Sequence, residues 1–262
     1  VSLSNAGEVL RDAGFWQEAS AIEDDGIINW ALEQVGERRA MTVNDEAYPA
    51  RWLTALGSGA PPALWIRGGM GAWGGLSIVG SRILDEGAAE FARSCGAAAV
   101  GLGLAVVSGG APGADSEAAQ GALACGEAAR VVEILPRGIL GASDHGAVSL
   151  AVGEPWADFS SALAMERNAL IYAFSPFAVV VQARYKEGGT WHGAADALRR
   201  RLCTVLVRDD GSDAARALAA LGGVMFRSPG DLAALCEEEP PPPQLELFGY
   251  RRVRESRLAW VA

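Results

Sequence analysis

Six short apolar runs recur along the chain, at Leu76–Val79, Leu104–Val107, Val131–Leu135, Phe177–Val181, Cys203–Val207 and Val224–Phe226. None shows the sustained in-and-out alternation of a strand with one wet face, so each suits a strand covered on both sides. Between most of them lie Ala-rich stretches with helical spacing: Asp85–Val100, Ala114–Cys125, Ser161–Phe174, Trp191–Arg201 and Asp213–Leu221. Strand and helix alternating in this way give βαβ units. The expected fold class is α/β, a doubly wound, mostly parallel sheet with helices on both faces. Ligands of such sheets sit outside the carboxyl ends of the strands, where loops run into helix N-termini.

The 262 residues suit one large domain with appendages. Residues 1–47 read as a small helical N-terminal region, 48–236 as the main domain, 237–243 as a linker and 244–262 as a tail. The linker is Glu237 to Glu239 followed by Pro240 to Pro243, a run that can be neither helix nor central strand. Half the residues are hydrophobic and 21% are charged, which excludes a wholly disordered chain. The net charge of −10 argues against a general nucleic-acid coat, because non-specific affinity for phosphate backbones needs an excess of cations. Any nucleic-acid contact has to be local, and Lys186 is the single lysine among the basic residues. Cys95, Cys125, Cys203 and Cys236 form no Cys-x-x-Cys pair, so neither a structural metal nor a disulfide framework is expected. No apolar stretch approaches a bilayer span and the first residues lack a signal-peptide pattern; the expectation is a cytoplasmic protein with no membrane partner.

Three glycine-rich turns follow the apolar runs. The first is Gly80-Ser81-Arg82, just before a helix. Gly80 permits a sharp turn, Ser81 offers a hydroxyl and an N–H, and Arg82 adds a guanidinium at the positive end of a helix, a competent phosphate site. The plain alternative is a tight turn with a solvated arginine. The second turn is Ser108-Gly109-Gly110-Ala111-Pro112-Gly113-Ala114-Asp115, whose backbone N–H groups could cradle a phosphate. Asp115 either caps the next helix or holds a ligand hydroxyl. The third is Lys186-Glu187-Gly188-Gly189-Thr190-Trp191, where Trp191 either stacks on a base or packs locally. Upstream, Arg167-Asn168 sits inside an apolar helix, as a buried structural pair or facing the same pocket. Three such turns at one sheet edge favour one shared pocket for an anionic ligand, a phosphate or nucleotide. His192 has no nucleophile or carboxylate pair beside it, so no catalytic residue, cofactor or metal is assigned.

Together these residues resemble the DNA-processing protein A family (DprA, also called Smf), within a wider Rossmann-like group that includes the cytokinin-activating phosphoribohydrolases. The resemblance runs from about Tyr48 to Val207. It begins with Tyr48-Pro49, Leu53, Leu56, Pro61-Pro62, Leu64 and Arg67-Gly68. It continues through Gly80-Ser81-Arg82, Ser108-Gly109-Gly110 with Gly113 and Asp115, Gly121-Ala122-Leu123, and Arg167-Asn168. It implies an extended Rossmann fold, often a homodimer, that binds single-stranded DNA at these loops and helps load a recombinase, without established catalysis. Several family positions differ. Pro112 stands where the family usually has Arg, Ala119 where it has His, and Ala169 where it has a second Arg. The Gly188-Gly189-Thr190-Trp191 turn also departs from the usual Ser/Gly-rich version. The phosphoribohydrolase signature places a Glu three residues past the Thr of its glycine turn. Here that position is Gly193 and the next acid is Asp196, which leaves N-glycosidic cleavage without its carboxylate.

In the tail, Gln244-Leu245-Glu246-Leu247-Phe248 resembles the pentapeptide by which bacterial polymerases and repair proteins bind the sliding clamp. A proline spacer would keep it exposed, Leu247 and Phe248 would fill an apolar pocket, and Gln244 would supply hydrogen bonds. The alternative is that Leu245, Leu247 and Phe248 pack back onto the domain. The expectation is a DprA-like protein binding single-stranded DNA through one phosphate pocket in support of recombination or DNA uptake. A free-nucleotide binder using the same pocket is the second reading, and a nucleotide hydrolase the third.

Overall fold

The computed structural model describes residues 40–69, 74–126, 130–142 and 146–237. Most of the expected N-terminal helices, most of the linker and the Gln244–Phe248 motif lie outside these residues. The strands are β1 (Ala40–Thr42), β2 (Ala63–Arg67), β3 (Gly75–Val79), β4 (Ala105–Ser108), β5 (Val131–Ile134), β6 (Val148–Ala151), β7 (Phe177–Val180), β8 (Thr204–Arg208) and β9 (Val224–Phe226). The α-helices are α1 (Ala50–Leu56), α2 (Glu86–Gly101), α3 (Ala114–Leu123), α4 (Ser161–Phe174), α5 (Gly188–Arg200), α6 (Asp213–Ala220) and α7 (Leu232–Leu235).

The strands form one sheet in the order β1-β2-β6-β5-β4-β3-β7-β8-β9. From β6 through β9 every neighbouring pair is parallel. β2 joins β6 and β1 joins β2 antiparallel. The doubly wound, mostly parallel α/β sheet expected from the apolar runs is therefore what forms. Three strands fall outside those runs. β2 alternates buried Leu64 and Ile66 with exposed Ala63 and Arg67, the half-wet pattern of an antiparallel strand, and it follows the Pro61-Pro62 pair that reads as a loop. β6 is only four residues long and carries Ser149. β1 lies within the segment expected to be helical, and its pairing with β2 draws residues 40–42 into the sheet.

Alternate residues of each central strand feed opposite faces. Leu76, Ile78, Phe177 and Val179 pack with Ala88, Ala92 and Cys95 of α2, Ala114 and Ala118 of α3, and Leu232 of α7. Val107, Val132, Ala178 and Val180 pack with Trp52 of α1, Leu170 and Ile171 of α4, Ala194 of α5 and Leu218 of α6. Small residues bring the helices close: a Cβ on Gly96 of α2 would stand 2.0 Å from Ala118 O of α3.

The short helix α1, bounded upstream by Pro49 and downstream by Gly57, fixes the placement of α4. Trp52 is fully buried, donates its indole N–H to Leu170 O at 2.9 Å, and meets Tyr48 and Phe174 edge-on. Truncating such a side chain costs about 3–5 kcal/mol. The chain crosses from β3 to β4, β5 and β6 on one side and then to β7 on the other, so the sheet's switch point lies between β3 and β7. Among the described residues no helix is long and apolar enough to cross a membrane.

Candidate anion-binding site

Loops leaving the carboxyl ends of β3, β4 and β7 meet α4 over a cavity of about 480 Å³. Gly80, Ser81 and Arg82 line it from the first loop, and Ala111 and Asp115 from the second. Arg184, Glu187, Gly188, Gly189 and Thr190 line it from the third, and Arg167, Asn168 and Tyr172 from α4. Residues of all three glycine-rich turns thus line one cavity, but the turns contribute differently from one another.

The β3 loop is locked to the β7 loop. Ser81 N–H donates to Gln182 O at 2.9 Å, its hydroxyl donates to the same oxygen at 3.2 Å, and the Thr190 hydroxyl donates to Gly80 O at 2.8 Å. Both donors of Ser81 and that of Thr190 are engaged within the fold, which corrects the expectation that Ser81 offers them to phosphate. Arg82 is exposed and lines the cavity.

The β4 turn is likewise turned inward. The Asp115 carboxylate accepts from Gly109 N–H at 2.9 Å and from Ala111 N–H at 3.3 Å, and Gly110 N–H donates to Ser108 Oγ at 3.3 Å. A carboxylate from the first turn of α3 therefore takes the N–H groups that the sequence pattern offered to a ligand, and Asp115 is a structural acceptor of its own turn. The glycines serve close packing. Gly109 lies against Arg167, Gly110 (φ 65) against Glu133, and Gly113 (φ 88) beneath Ser81 and Arg82. The family-position Pro112 is exposed at the tip of this turn.

Arg167 is the central cation. It is buried, its Nη1 donates to Ile134 O at 2.6 Å, and its Nε has no hydrogen-bond partner. Among the described residues no carboxylate forms an ion pair with it. Burial pushes its pKa down, Asp115 raises it, and the nearby positive charge of Arg82 lowers it further. Burial pushes the Asp115 carboxyl up to about 6, against its two backbone hydrogen bonds and the Arg167 charge, which both lower it. A buried guanidinium without a direct counter-charge is costly unless an anion joins it.

The third turn contributes a helix start. Glu187 stands at the N-cap of α5 without a side-chain capping bond, so the first N–H groups of Gly188, Gly189 and Thr190 are left at the cavity wall. Asn168 Nδ2 donates to Gly189 O at 3.4 Å and holds this turn to α4. Lys186 sits in the left-handed region (φ 59), with its ammonium 5.0 Å from the Tyr185 ring centroid, and is not part of the cavity lining. Trp191 is buried in the core, edge-on to Tyr185 at 5.1 Å, so the structure corrects the reading of Trp191 as a stacking face. Arg184, Phe159 and Met165 line the cavity and were not among the sequence candidates. Arg184 was the findable one, a second cation two residues before Lys186 in the same loop.

The family profile described as DNA recombination-mediator protein A matches residues 39–234. The chain belongs to the DNA recombination-mediator protein A family. The matched span covers the sheet from β1 to α7, so the family's role in DNA processing extends to this chain at that level. No curated protein matches it by sequence. Among solved structures, DNA processing protein A from Streptococcus pneumoniae superposes with a TM-score of 0.69 at 19% identity, covering 89% of this chain and 86% of that one. DNA processing protein A from Helicobacter pylori, described with a unique single-stranded DNA binding mode, gives 0.62 at 18% identity over 75% of this chain and 95% of that one. The molybdenum cofactor binding protein of Rippkaea orientalis shares the sheet at 0.50, with 18% identity over 62% of this chain and 94% of that one. At these identities the structural likeness speaks for the fold alone.

Proposed function

We propose that the cavity receives a phosphate of single-stranded DNA and that the chain acts as a DprA-like binding and delivery protein in recombination or DNA uptake. The observation that carries this reading is Arg167, a buried guanidinium with one hydrogen bond, an orphaned Nε and, among the described residues, no carboxylate ion pair, at a cavity that also holds Arg82, Arg184 and the uncapped start of α5. A phosphate would add a directly hydrogen-bonded counter-charge to the more distant carboxylates of Asp115 and Glu133. The net charge of −10 confines such binding to this spot, so a shallow salt dependence with few released counterions is expected. The partners proposed with this role are a recombinase and a second copy of the chain, and, from the likeness of its tail pentapeptide to clamp-binding motifs, the sliding clamp through Gln244, Leu245, Leu247 and Phe248. Substituting Leu247 and Phe248 together by Ala should abolish clamp recovery in a pull-down.

A free nucleotide is the second reading, favoured by the cavity volume of about 480 Å³, which suits one mononucleotide. Fluorescence anisotropy with labelled oligonucleotides separates the two. Strand binding predicts that affinity rises with oligonucleotide length. A mononucleotide that competes as well as a long strand would move the function to the second reading.

A further inference from the structure

Of the aromatic rings among the described residues, three are exposed: Trp156 at 56%, Phe159 at 52% and Tyr185 at 46%. All three lie on the loops that follow β6 and β7. Phe159 lines the cavity itself, together with Met165 one turn into α4. Trp156 is carried by a segment strapped to the preceding loop, where Leu140 N–H donates to Pro155 O at 2.9 Å and Gly138 N–H donates to Ala157 O at 2.8 Å. The strap is tight: a Cβ on Gly138 would stand 2.2 Å from Pro155 O. Leu140, 64% exposed, therefore adjoins the Trp156 segment. The loop between β6 and α4 thus carries two exposed rings three residues apart, Trp156 on a braced backbone and Phe159 at the cavity.

The charges along this loop restrict what covers it. From Val152 to Glu166 the chain has no basic residue but carries Glu154, Asp158 and Glu166. A phosphate backbone would be repelled there, whereas uncharged base faces would not. Exposed rings beside a cation-lined pocket are the arrangement by which unstacked bases are held while one phosphate is anchored.

We propose that Trp156 and Phe159 form a stacking platform for the bases of a single strand whose phosphate occupies the adjoining cavity. This rests on the strand-binding reading above and adds to it where the neighbouring nucleotides lie. Because stacking tolerates any base, the platform predicts little sequence preference. Tyr185, edge-on to Trp191 and capped by the Lys186 ammonium, flanks the other loop and is not part of it.

The test compares a labelled oligothymidylate with an abasic oligonucleotide of equal length, by fluorescence anisotropy, for the wild-type chain, Trp156→Ala and Phe159→Ala. Both rings are exposed, and unaltered circular dichroism and melting curves would verify that the fold is intact. The wild type should bind the abasic strand at least tenfold more weakly. Each variant should lose about tenfold on the oligothymidylate, and Trp156→Ala, which lies outside the cavity lining, should lose little on the abasic strand. Equal wild-type affinity for both strands, or wild-type affinity in both variants, overturns the platform while leaving the phosphate pocket standing, and assigns the two rings to a protein partner. If the wild-type chain binds neither strand, the strand-binding reading itself fails and the platform fails with it.

Discussion

A Cβ on Gly109 would stand 2.0 Å from Arg167 Nη1, so the guanidinium rests directly on the backbone of the β4 turn. Any side chain at this glycine must push the cation out of its seat. Gly109→Ala should therefore weaken oligonucleotide binding about 10- to 100-fold, the range for losing a charge-assisted contact. Overpacking should also cost about 1–3 kcal/mol of stability, read by denaturant titration. Wild-type affinity in this variant would mean that the anion is anchored elsewhere.

Arg167 itself separates function from stability. Arg167 has no direct ion pair among the described residues, so an apolar side chain of similar length removes its desolvation cost, offset in part by the lost attraction to Asp115 and Glu133. Arg167→Met should keep unfolding free energy within about 1 kcal/mol of wild type, or raise it. The same variant should lose strand binding about 10- to 100-fold. A loss of several kcal/mol in stability would instead identify Arg167 as a structural residue.

The legible and illegible parts of the sequence divide along physical lines. The parallel strands were readable because burial on both faces leaves unbroken apolar runs, as in Val131–Ile134 and Phe177–Val180. β2 was not, since its alternation is short and it follows two prolines. At the site, chain order placed Gly80, Asp115, Arg167 and Gly189 at one sheet edge, and they do meet there. What spacing could not reveal is direction. Whether the N–H groups of Gly109 and Ala111 point at a ligand or at Asp115 depends on backbone dihedrals within one turn. Trp191 was ambiguous for the same reason, and its helix phase turns it to the core beside Ala194 and Ala195.

Strand binding at this cavity should depend on pH through Asp115. Its carboxyl is raised from the ordinary 3.8 to about 6. The folded chain therefore binds a proton that the unfolded chain releases between pH 4 and 6. Stability contributed by this group is full below about 4 and declines as pH rises through about 6, by on the order of 3 kcal/mol. A phosphodiester beside Asp115 meets a neutral group below pH 6 and a carboxylate above it. Affinity for an oligonucleotide should accordingly fall as pH rises from 5 to 7. Asp115→Asn retains an acceptor for the Gly109 N–H and should flatten both profiles. A wild-type affinity that rises over this interval would place the titrating group outside the site.

The contact between the first two turns can be weighed by comparing two glycines of positive φ. Gly113 (φ 88, ψ −126) caps the start of α3, and a Cβ there would lie 2.3 Å from Ser81 O and 2.6 Å from Arg82 C and O. Gly211 (φ 73) also adopts positive φ, but a Cβ there would meet nothing within 4 Å. Ala at Gly211 should cost only the backbone term, about 1–2 kcal/mol. Ala at Gly113 carries that term and also a clash with rigid backbone that no rotamer relieves, so it should cost roughly 2 kcal/mol more than the Gly211 variant. Relief of the clash separates the β4 turn from Gly80-Ser81-Arg82, so this variant should lose strand binding even at temperatures where it remains folded, whereas Gly211→Ala should bind as wild type. Equal stability losses and equal affinities in the two variants would show that the turns do not depend on each other, and the cavity could not then be a single preformed site.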